Sequence, residues 1–557
     1  MRAKRSKKES PKMLYKIVVV AIFLIVIATI INIAPNYIVN NNTDKMAVII
    51  NNNDATESMK FEAFVNNDTI YMSTKDIANF FDQDIFYDNV YDQIITTSNT
   101  KVAALKLNER EMTVNGSKVK LSGAAVKANE EFYLPFSEMS DVYNVEVNYI
   151  EQTNILTIDS LDRKQEKGNA SNEISVKYRP TGLSKTLDTV KKGDSVVIIE
   201  KRDDGWYKVR TNLGIIGYTK DVTNIHSTRE DLEIKKQIEG KISMVWDAYY
   251  TDSAPERTET LDDAINVISP TVAELVRLGQ GELNIKLENG GESYVQWAHN
   301  NNCKVWAMVS NGSQPQTTSE VLNDYELRQK LISNIVNMAL QYNFDGINLD
   351  FENVNTEDKD MLSRLVIELA PRLREYGKVL SVDVTAPDGG TNWSESFDRH
   401  TIGRAADYIV FMAYDEYTEG SKEPGTTAGA DWLELNVKKF VGTQEEVDNN
   451  KLILAIPFYT RIWAVDGDDF TTNVVLMKNI EANIPNGVEK QWKDDVKQYY
   501  IEYEQNGRIY KMWIEDKESL KAKIDILNEY NLAGAAYWEK DFETQDIWQM
   551  IRQELMK

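Results

Sequence analysis

Eight apolar, strand-like stretches alternate with helical stretches over the second half of the chain. In order, they are KISMVWDAY, ELNIKL, KVWAMVS, GINLDFE, VLSVDVTA, YIVFMAYD, LILAIPFY and LAGAAYW. Amphipathic segments such as ELRQKLISNIVNMALQYN and DKDMLSRLVIELAPRLREYG lie between several of them. Strands that alternate with helices form a parallel sheet, and eight of them predict a TIM (β/α)8 barrel over residues 240–557. The chemistry of that fold is expected at the carboxyl ends of its strands.

Composition narrows the possible classes of function. A chain of 557 residues is too long for one ordinary domain, so a multidomain protein is expected. Its net charge of −24 argues against a nucleic acid partner, because a phosphate backbone requires a basic surface. Cys303 is the only cysteine, and the three histidines (His226, His299 and His400) are far apart in the sequence. We therefore expect no metal or other cofactor, and any hydrolytic chemistry should depend on carboxylates.

The N-terminus has the residue order of a membrane anchor. Residues 1–16 contain seven Lys or Arg residues and one acid, and residues 17–34 form the apolar run IVVVAIFLIVIATIINIA. That run can just span a bilayer, and the preceding positive charge predicts a cytoplasmic basic tail with the rest of the chain outside. A cleaved signal peptide has the same order, but Asn32 is a poor residue three positions before a cut. We expect a single-pass transmembrane helix and a barrel outside the cytoplasm, at the cell surface or spore envelope.

An internal repeat follows the anchor. The segment DTIYMSTKDIANFFDQDIFYD, from Asp68, aligns without a gap on EEFYLPFSEMSDVYNVEVNYI, from Glu130. Each copy has the pattern of a short strand, a helix and then alternating strands, so a duplicated α+β domain is expected over residues 46–160. The pattern resembles the copper amine oxidase N-terminal domain, a module common in secreted bacterial proteins. That resemblance implies a spacer or wall-contact role, and no copper.

Residues 172–226 are predicted to form an all-β domain. Short strand-like runs are separated by turns in KKGDSVVII, DDGWYKVR and GIIGYTK. The segment resembles a bacterial SH3-type barrel, and such modules often bind wall peptides. The resemblance implies a groove lined by Trp206 and Tyr218, while the alternative is that Trp206 is a core aromatic residue. The residues that carry it are Gly193, Trp206, Val209, Gly214, Gly217 and Tyr218.

Residues 344–352, FDGINLDFE, place polar side chains within an apolar strand. Because side chains alternate between the faces of a strand, Asn348, Asp350 and Glu352 share one face. In a barrel this face points inward, and the apolar face packs against helices. A negative neighbour in a partly desolvated site raises the pKa of a carboxyl group. Asp350 is therefore expected to keep Glu352 protonated near neutral pH, as a general acid requires.

This strand resembles the signature of glycoside hydrolase family 18, the chitinase-like enzymes, which is Asp-Gly-x-Asp-x-Asp-x-Glu on the fourth barrel strand. The match falls on Asp345, Gly346, Asp350 and Glu352. FMAYD, IPFYTR and AGAAYW agree with further strands of that family. The resemblance implies a sugar-binding cleft. Its expected substrate-binding residues are Trp538, Met412, Asp415, Tyr459, Arg461 and Trp246.

The resemblance also implies a retaining mechanism in which the substrate supplies the nucleophile, without a metal. Glu352 would protonate the glycosidic oxygen, and the 2-acetamido carbonyl of the sugar would attack the anomeric carbon. Asp350 would orient the acetamido group, and Tyr414 would hydrogen-bond its carbonyl oxygen. The fourth member of the expected catalytic set is Asn348, which stands where the family has an acid. It can hydrogen-bond Asp350 but cannot titrate with it.

Two other stretches bear on the substrate. The third strand ends in SNGS where typical chitinases have Ser-x-Gly-Gly, which weakens the case for chitin. Between the seventh and eighth strands, a small α+β insertion contains QYYIEYEQNGRIYKMWIED, whose Asn-Gly pair predicts a hairpin that walls one side of the cleft.

The combined prediction is a membrane-anchored, outward-facing glycoside hydrolase of N-acetylglucosamine-containing cell-wall glycan. The expected target is the β-1,4 bonds of peptidoglycan, because this subset of the family resembles spore-cortex and cell-wall enzymes. Two alternatives stay open. One is a chitinase or chitooligosaccharide hydrolase, and the other is a non-catalytic, lectin-like glycan binder on the same barrel.

Overall fold

The computed structural model describes residues 45–232, 236–442 and 445–556. They form two compact units. One comprises the described residues up to Asp76 together with those from Asn144 to 232, and the second comprises Ile77–Tyr143 and the described residues from 236 onward. The predicted basic tail (1–16) and anchor (17–34) lie outside the described residues. Within the three described ranges, no helix combines the length and apolar character needed to cross a membrane.

The second unit contains a closed barrel of eight parallel strands, as predicted. Each strand pairs with two neighbours, and the first closes the ring by pairing with the second and the eighth. The strands are largely buried, as expected where parallel strands are covered on both faces. In chain order they are β1 (Ile242–Asp247), β2 (Val267–Pro270), β3 (Lys304–Ser310), β4 (Gly346–Asp350), β5 (Val379–Val384), β6 (Tyr408–Met412), β7 (Leu452–Pro457) and β8 (Gly534–Trp538).

The prediction of barrel strands is wrong for one of the eight stretches. The stretch ELNIKL contributes only the short strand Leu283–Ile285, which pairs antiparallel with Ala273–Leu275 outside the ring of eight. Its alternation of apolar and polar residues suits a strand with one face in solvent. The second barrel strand is β2, whose four residues are all buried and which ends at Pro270. A buried run this short has little periodicity by which to recognise it.

α-Helices surround the strands, and their apolar faces form one cluster with the outward side chains of the barrel. Leu349 of β4, for example, belongs to the same buried cluster as Ile335 and Leu365 from the flanking helices. The helices are α1 (Gly291–Asn300), α2 (Pro315–Asn323), α3 (Tyr325–Gln341), α4 (Lys359–Arg374), α5 (Arg399–Ala405), α6 (Ala430–Val441), α7 (Lys517–Glu529) and α8 (Asp546–Glu554).

A buried ion pair joins α3 to α4. Arg328 donates to Glu368 from Nε at 3.1 Å and from Nη2 at 3.2 Å, and the two side chains are 1% and 0% exposed. A third guanidinium nitrogen donates to the backbone carbonyl of Leu322. Every charged atom of the pair therefore has a partner, which a buried charge requires.

We expect Glu368→Gln to lower the free energy of unfolding by about 3–5 kcal/mol, because it leaves a buried guanidinium without its counter-charge. Chemical denaturation measures the loss. The matched control is Asp525→Asn, which breaks an exposed pair with Lys521 on α7 and should change stability by less than about 0.5 kcal/mol. Equal losses from the two variants would contradict the prediction.

The insertion between β7 and β8 forms a five-stranded antiparallel sheet. The predicted hairpin is confirmed, because two of these strands pair across Asn506 and Gly507, which both have positive φ. A two-residue turn with positive φ at both positions matches the twist of a hairpin. The strands are Tyr459–Asp466, Asp469–Leu476, Gln491–Lys493, Gln498–Gln505 and Arg508–Ile514.

Residues Ile77–Tyr143 belong to the same unit as the barrel and contact its helices through charged groups. Arg404 of α5 forms an ion pair with Asp84. Glu375, at the end of α4, accepts hydrogen bonds from Lys101 and Asn115, both at 2.7 Å. The middle of the repeat is therefore attached to the outside of the barrel. Its antiparallel sheet contains Phe86–Asp88, Gln93–Thr97, Val102–Lys106, Glu111–Val114 and Ser117–Lys120.

Both copies of the repeat have the predicted order of strand, helix and strands. In the first copy the strand Thr69–Ser73 leads into the helix Thr74–Phe80. In the second, Glu131–Pro135 leads into a 3-10 turn and the helix Ser140–Tyr143, followed by the strands Val145–Ile150 and Ile155–Ser160. The other strands of this region are Ala47–Ile50, Asn53–Asp54, Phe64–Asn66 and Val126–Ala128.

The first unit also contains a seven-stranded antiparallel sheet, so the region predicted to be all-β is all-β. Trp206 lies outside its buried core, half-exposed, with Lys220 Nζ 5.3 Å from the centre of its ring. The alternative of Trp206 as a core residue is therefore wrong, and the SH3-type assignment stays a prediction. The strands are Gln165–Ala170, Ile174–Lys177, Thr186–Val190, Ser195–Lys201, Tyr207–Arg210, Ile216–Thr219 and Val222–Arg229.

Candidate active site

A cavity of about 230 Å³ lies at the carboxyl ends of the barrel strands. Eight of the ten predicted site residues line it. The two others are Asn348, which is fully buried, and Arg461, which contacts a lining residue. The lining residues are Trp246, Met308, Asp350, Glu352, Asp383, Met412, Tyr414, Asp415, Tyr459 and Trp538.

Four carboxyl groups line this cavity, and burial raises the pKa of three of them, Asp350, Glu352 and Asp383. Burial raises the pKa of Asp350 well above its ordinary value, and the charges of Glu352 and Asp383 raise it further. Burial, followed by the charge of Asp415, raises the pKa of Glu352. A cluster of this kind can present a protonated carboxyl group at neutral pH, which is what general acid catalysis requires.

Asn348 is held by four hydrogen bonds, and none of them goes to Asp350. Its carbonyl oxygen accepts from Trp246 Nε1 at 2.9 Å and from Ser269 Oγ at 3.3 Å. Its amide nitrogen donates to Ser381 Oγ at 3.1 Å and to Asp383 Oδ1 at 2.6 Å. The expected hydrogen bond from Asn348 to Asp350 is therefore wrong, because the amide reaches sideways to β5 instead of along its own strand.

Tyr414 and Asp415 follow β6, two strands along the ring from β4, and line the same cavity. Burial raises the pKa of Tyr414 well above its ordinary value, with smaller contributions from Tyr459 and the three carboxyl groups, so its hydroxyl stays a hydrogen-bond donor. Asp415 accepts from the Tyr459 hydroxyl at 2.8 Å and from Arg461 Nη2 at 3.1 Å. Arg461 therefore positions Asp415 and does not line the cavity.

Two indole rings form the floor of the site. The ring centres of Trp246 and Trp538 lie 5.6 Å apart with the planes tilted by 57°. Trp246 is buried, whereas Trp538 is partly exposed toward the cavity. An exposed aromatic face beside polar groups suits a sugar ring, whose C–H faces are apolar and whose edges carry hydroxyl groups.

Asn311 is a site residue that the sequence did not reveal. It follows β3, is 1% exposed, and holds the backbone of Glu352 with reciprocal hydrogen bonds. Its amide nitrogen donates to the Glu352 carbonyl oxygen at 2.7 Å, and its carbonyl oxygen accepts from the Glu352 amide at 3.0 Å. The sequence SNGS, which departs from typical chitinases, thus includes the residue that fixes the exit of β4.

Asp383 is the second site residue that the sequence analysis did not predict, although the alternation of residues around it indicates an inward-facing acid. In VLSVDV, alternation places Ser381 and Asp383 on one face of β5 and the apolar residues on the other. The outward residues Leu380, Val382 and Val384 pack in the helix-facing cluster. The alternation of side chains that places Asp350 and Glu352 on the inner face of β4 therefore places Asp383 on the inner face of β5.

Asp345, the first acid of the signature, lies at the opposite end of β4 from the cavity, where it forms ion pairs that stabilise the fold. It lies 2.9 Å from Lys304 Nζ and 2.7 Å from His299 Nε2. Burial acts to raise the pKa of Asp345, but a backbone amide of β3, Lys304 and His299 outweigh it and lower that pKa. The next residue, Gly346, has no room for a side chain, because a Cβ there would lie 2.8 Å from the Trp306 ring.

A (β/α)8 barrel with carboxyl groups of raised pKa beside a partly exposed indole ring at its strand ends defines the class of protein, a glycoside hydrolase. More particularly, the chain belongs to the glycosyl hydrolases family 18, whose family model matches residues 249–543, more than half of the chain. The family model of the copper amine oxidase N-terminal domain matches residues 49–158, which confirms that predicted resemblance.

Similar proteins include two from Bacillus subtilis. The chain is 27% identical to the "Putative sporulation-specific glycosylase YdhD" of Bacillus subtilis over 42% of its own length and 55% of the relative. It is 23% identical to the "Cortical fragment-lytic enzyme" of the same species over 42% and 54%, so it spans about half the length of both. The solved structure of a chitinase from Chromobacterium violaceum shares the fold (TM-score 0.50, 22% identity), covering 57% of this chain and all of that one.

Proposed function

We propose that this glycoside hydrolase cleaves β-1,4 bonds of an N-acetylglucosamine-containing cell-wall glycan, and that peptidoglycan is its substrate. One observation carries the proposal. Asp350, Glu352 and Tyr414 line a single cavity together with the exposed face of Trp538, so that a proton donor, a negative charge and a hydroxyl surround one sugar-sized space.

The proposed mechanism is retaining and uses the substrate as its nucleophile. Glu352 donates its proton to the glycosidic oxygen, and the acetamido carbonyl oxygen attacks the anomeric carbon as the glycosidic bond breaks. Asp350 accepts a hydrogen bond from the acetamido N–H and stabilises the positive charge that develops there, while the Tyr414 hydroxyl donates to the acetamido oxygen. Water, deprotonated by the Glu352 carboxylate, then opens the cyclic intermediate with net retention.

Peptidoglycan is favoured over chitin by the region that precedes the barrel and by the relatives. A sporulation-specific glycosylase and a cortical fragment-lytic enzyme are named after processes of the spore and its cortex. We also propose that residues 17–34 anchor the protein in the membrane, with the duplicated domain (46–160) and an SH3-type domain (172–226) between the anchor and the barrel (240–557). In this arrangement the barrel acts outside the cell membrane, and the SH3-type domain contacts wall peptides.

Product analysis tests the proposal. Purified protein is incubated with peptidoglycan from vegetative cells, with spore cortex and with chitooligosaccharides, and the products are identified by mass spectrometry. We expect new reducing ends on N-acetylglucosamine from at least one peptidoglycan.

Each alternative has its own outcome in this experiment. Cleavage of chitooligosaccharides alone would replace peptidoglycan with chitin as the substrate. Release of nothing from any glycan, with retained binding to sacculi, would contradict the enzymatic proposal in favour of a lectin-like binder.

A further inference from the structure

Asp383 is a buried acid that the mechanism above does not use. It is 2% exposed, and its described hydrogen bond is the one from the Asn348 amide at 2.6 Å. The register of β4 and β5 pairs Leu349 with Val382, so the next residues, Asp350 and Asp383, lie side by side. Neighbouring strands are about 4.8 Å apart, so the two carboxyl groups on this face are close enough for the charge of Asp383 to act on Asp350.

We propose that Asp383 takes the place of the acid that is missing at position 348, and that it shares one proton with Asp350. The inference rests on the proposed function, because it assigns the proton-holding partner of the carboxylate that stabilises the acetamido group. Asp383 acts through Asp350 and is therefore a positioning residue.

The hydrogen bonds of Asn348 set the direction in which Asp383 carries its proton. Trp246 and Ser269 both donate to the Asn348 carbonyl oxygen, which leaves the amide nitrogen as the donor toward β5. Oδ1 of Asp383 is thereby an acceptor, and a proton on this carboxyl group is carried by Oδ2. Asn348 thus positions Asp383 by donating a hydrogen bond to its Oδ1.

Asp350 has an oxygen that needs this proton. Its Oδ1 is buried and has no hydrogen-bond partner within the described part of the chain, and a buried polar atom of this kind requires an explanation. A proton held between the two carboxyl groups supplies the partner. Like charges this close cannot both ionise freely, and burial raises the pKa of Asp383 well above its ordinary value, against the lowering effect of Asn348 and with the added charge of Glu352.

The pair conserves its proton through the reaction. At rest the two carboxyl groups carry one proton and one negative charge. When the acetamido nitrogen becomes positive, the proton lies on Asp383 Oδ2 and the charge on Asp350. When water opens the cyclic intermediate, the proton is shared again. No proton leaves the pair. The titratable groups that face Asp383 throughout are Asp350 of β4, Glu352 just after β4, and Tyr414 after β6.

Exchanging the acid and the amide tests the assignment. Asp383→Asn keeps an acceptor for the Asn348 amide but cannot hold the proton, so we expect kcat to fall about 100-fold with KM changed by less than about threefold. The double variant Asn348→Asp with Asp383→Asn returns the acid to β4. Trp246 and Ser269 still donate to position 348. We therefore expect the kcat of the double variant to be at least tenfold higher than that of Asp383→Asn.

Thermal melting between pH 5 and pH 8 gives a readout without turnover. A buried acid whose pKa is raised in the folded protein costs stability as the pH rises through that raised value. Removing it should therefore stabilise Asp383→Asn relative to the wild type increasingly from pH 5 to pH 8. If Asp383→Asn melts below the assay temperature, the double variant alone carries the kinetic test, since it contains one acid and one amide at the same two positions.

Wild-type kcat in Asp383→Asn would overturn the inference, as would a double variant that melts normally but stays as slow as Asp383→Asn. A melting difference that does not change with pH would also overturn it. Failure of the wild type on every glycan is a different result, because it contradicts the proposed function while the melting comparison still decides whether Asp383 holds a proton.

Discussion

Replacing Glu352 by glutamine is expected to lower the release of reducing ends by about 10³-fold, the largest kinetic effect we foresee for a single residue. Glutamine has the same shape and leaves the backbone hydrogen bonds with Asn311 in place, but it cannot donate a proton to the glycosidic oxygen. The aromatic floor of the cavity is unchanged, so binding to sacculi should persist. Time courses of reducing-end release and a sedimentation assay with sacculi measure the two properties separately.

Glu357→Gln is the matched control for this variant. Glu357 is exposed in the turn after β4, five residues from Glu352, and its replacement should leave both activity and binding unchanged. If Glu352→Gln retains more than a tenth of wild-type activity, another group donates the proton. If it loses binding together with activity, the site itself has been disturbed, and the variant says nothing about proton transfer.

Periodicity predicts most of the barrel because each long strand carries its own signal. Strands such as Lys304–Ser310 and Leu452–Pro457 are continuous apolar runs, which parallel strands covered on both faces require. The second strand, Val267–Pro270, is too short for such a signal, and ELNIKL resembles a strand more closely by its alternation. Length, and not burial, decides which strands can be recognised from the sequence.

The site is predictable within a strand and much less so between strands. Alternation within FDGINLDFE places Asp350 and Glu352 at the cavity, as the structure has them. The partner of Asn348 depends instead on the register between β4 and β5, which brings Ser381 and Asp383 beside it. A sequence without its sheet register does not say which neighbouring side chains an amide can reach. Asn311 was missed for the same reason, since it acts on the backbone of the next strand.

The attachment of Ile77–Tyr143, the middle of the repeat, to the barrel also depends on long-range contacts. The duplication predicts the order of strand, helix and strands in each copy, because that information is local. It does not predict that Asp84 of the first copy pairs with Arg404 of α5, a residue more than 300 positions away in the chain. The equivalent acid of the second copy, Glu146, pairs instead with Arg229, so the same position makes a different long-range contact in each copy.

A glycan whose cleavage-site sugar carries a free amine in place of the N-acetyl group is expected to resist hydrolysis, with a loss of at least about 10³-fold. The acetamido carbonyl is the proposed nucleophile, and β4 supplies no second carboxylate that could attack the anomeric carbon in its place. Asp350 and Glu352 leave that strand in the same direction, two residues and about 6.6 Å apart, and so approach the sugar from one side. A second carboxylate that attacks the anomeric carbon would need to stand across the bond from the acid. Paired oligosaccharides that differ only in this N-acetyl group, compared by kcat/KM, measure the effect.

A graded series separates the loss of a nucleophile from the loss of a binding contact. An N-trifluoroacetyl sugar retains the N–H that Asp350 would accept and the carbonyl that Tyr414 would contact, but its fluorine atoms withdraw electrons and weaken the carbonyl oxygen as a nucleophile. We expect kcat to fall from N-acetyl to N-trifluoroacetyl while KM changes little, because the weakened step lies in the transition state. The N-acetylated substrate is the control for each preparation. Equal kcat for the two acyl groups, or ready hydrolysis of the free amine, would require a nucleophile from the protein and would contradict substrate assistance while leaving Glu352 as the acid.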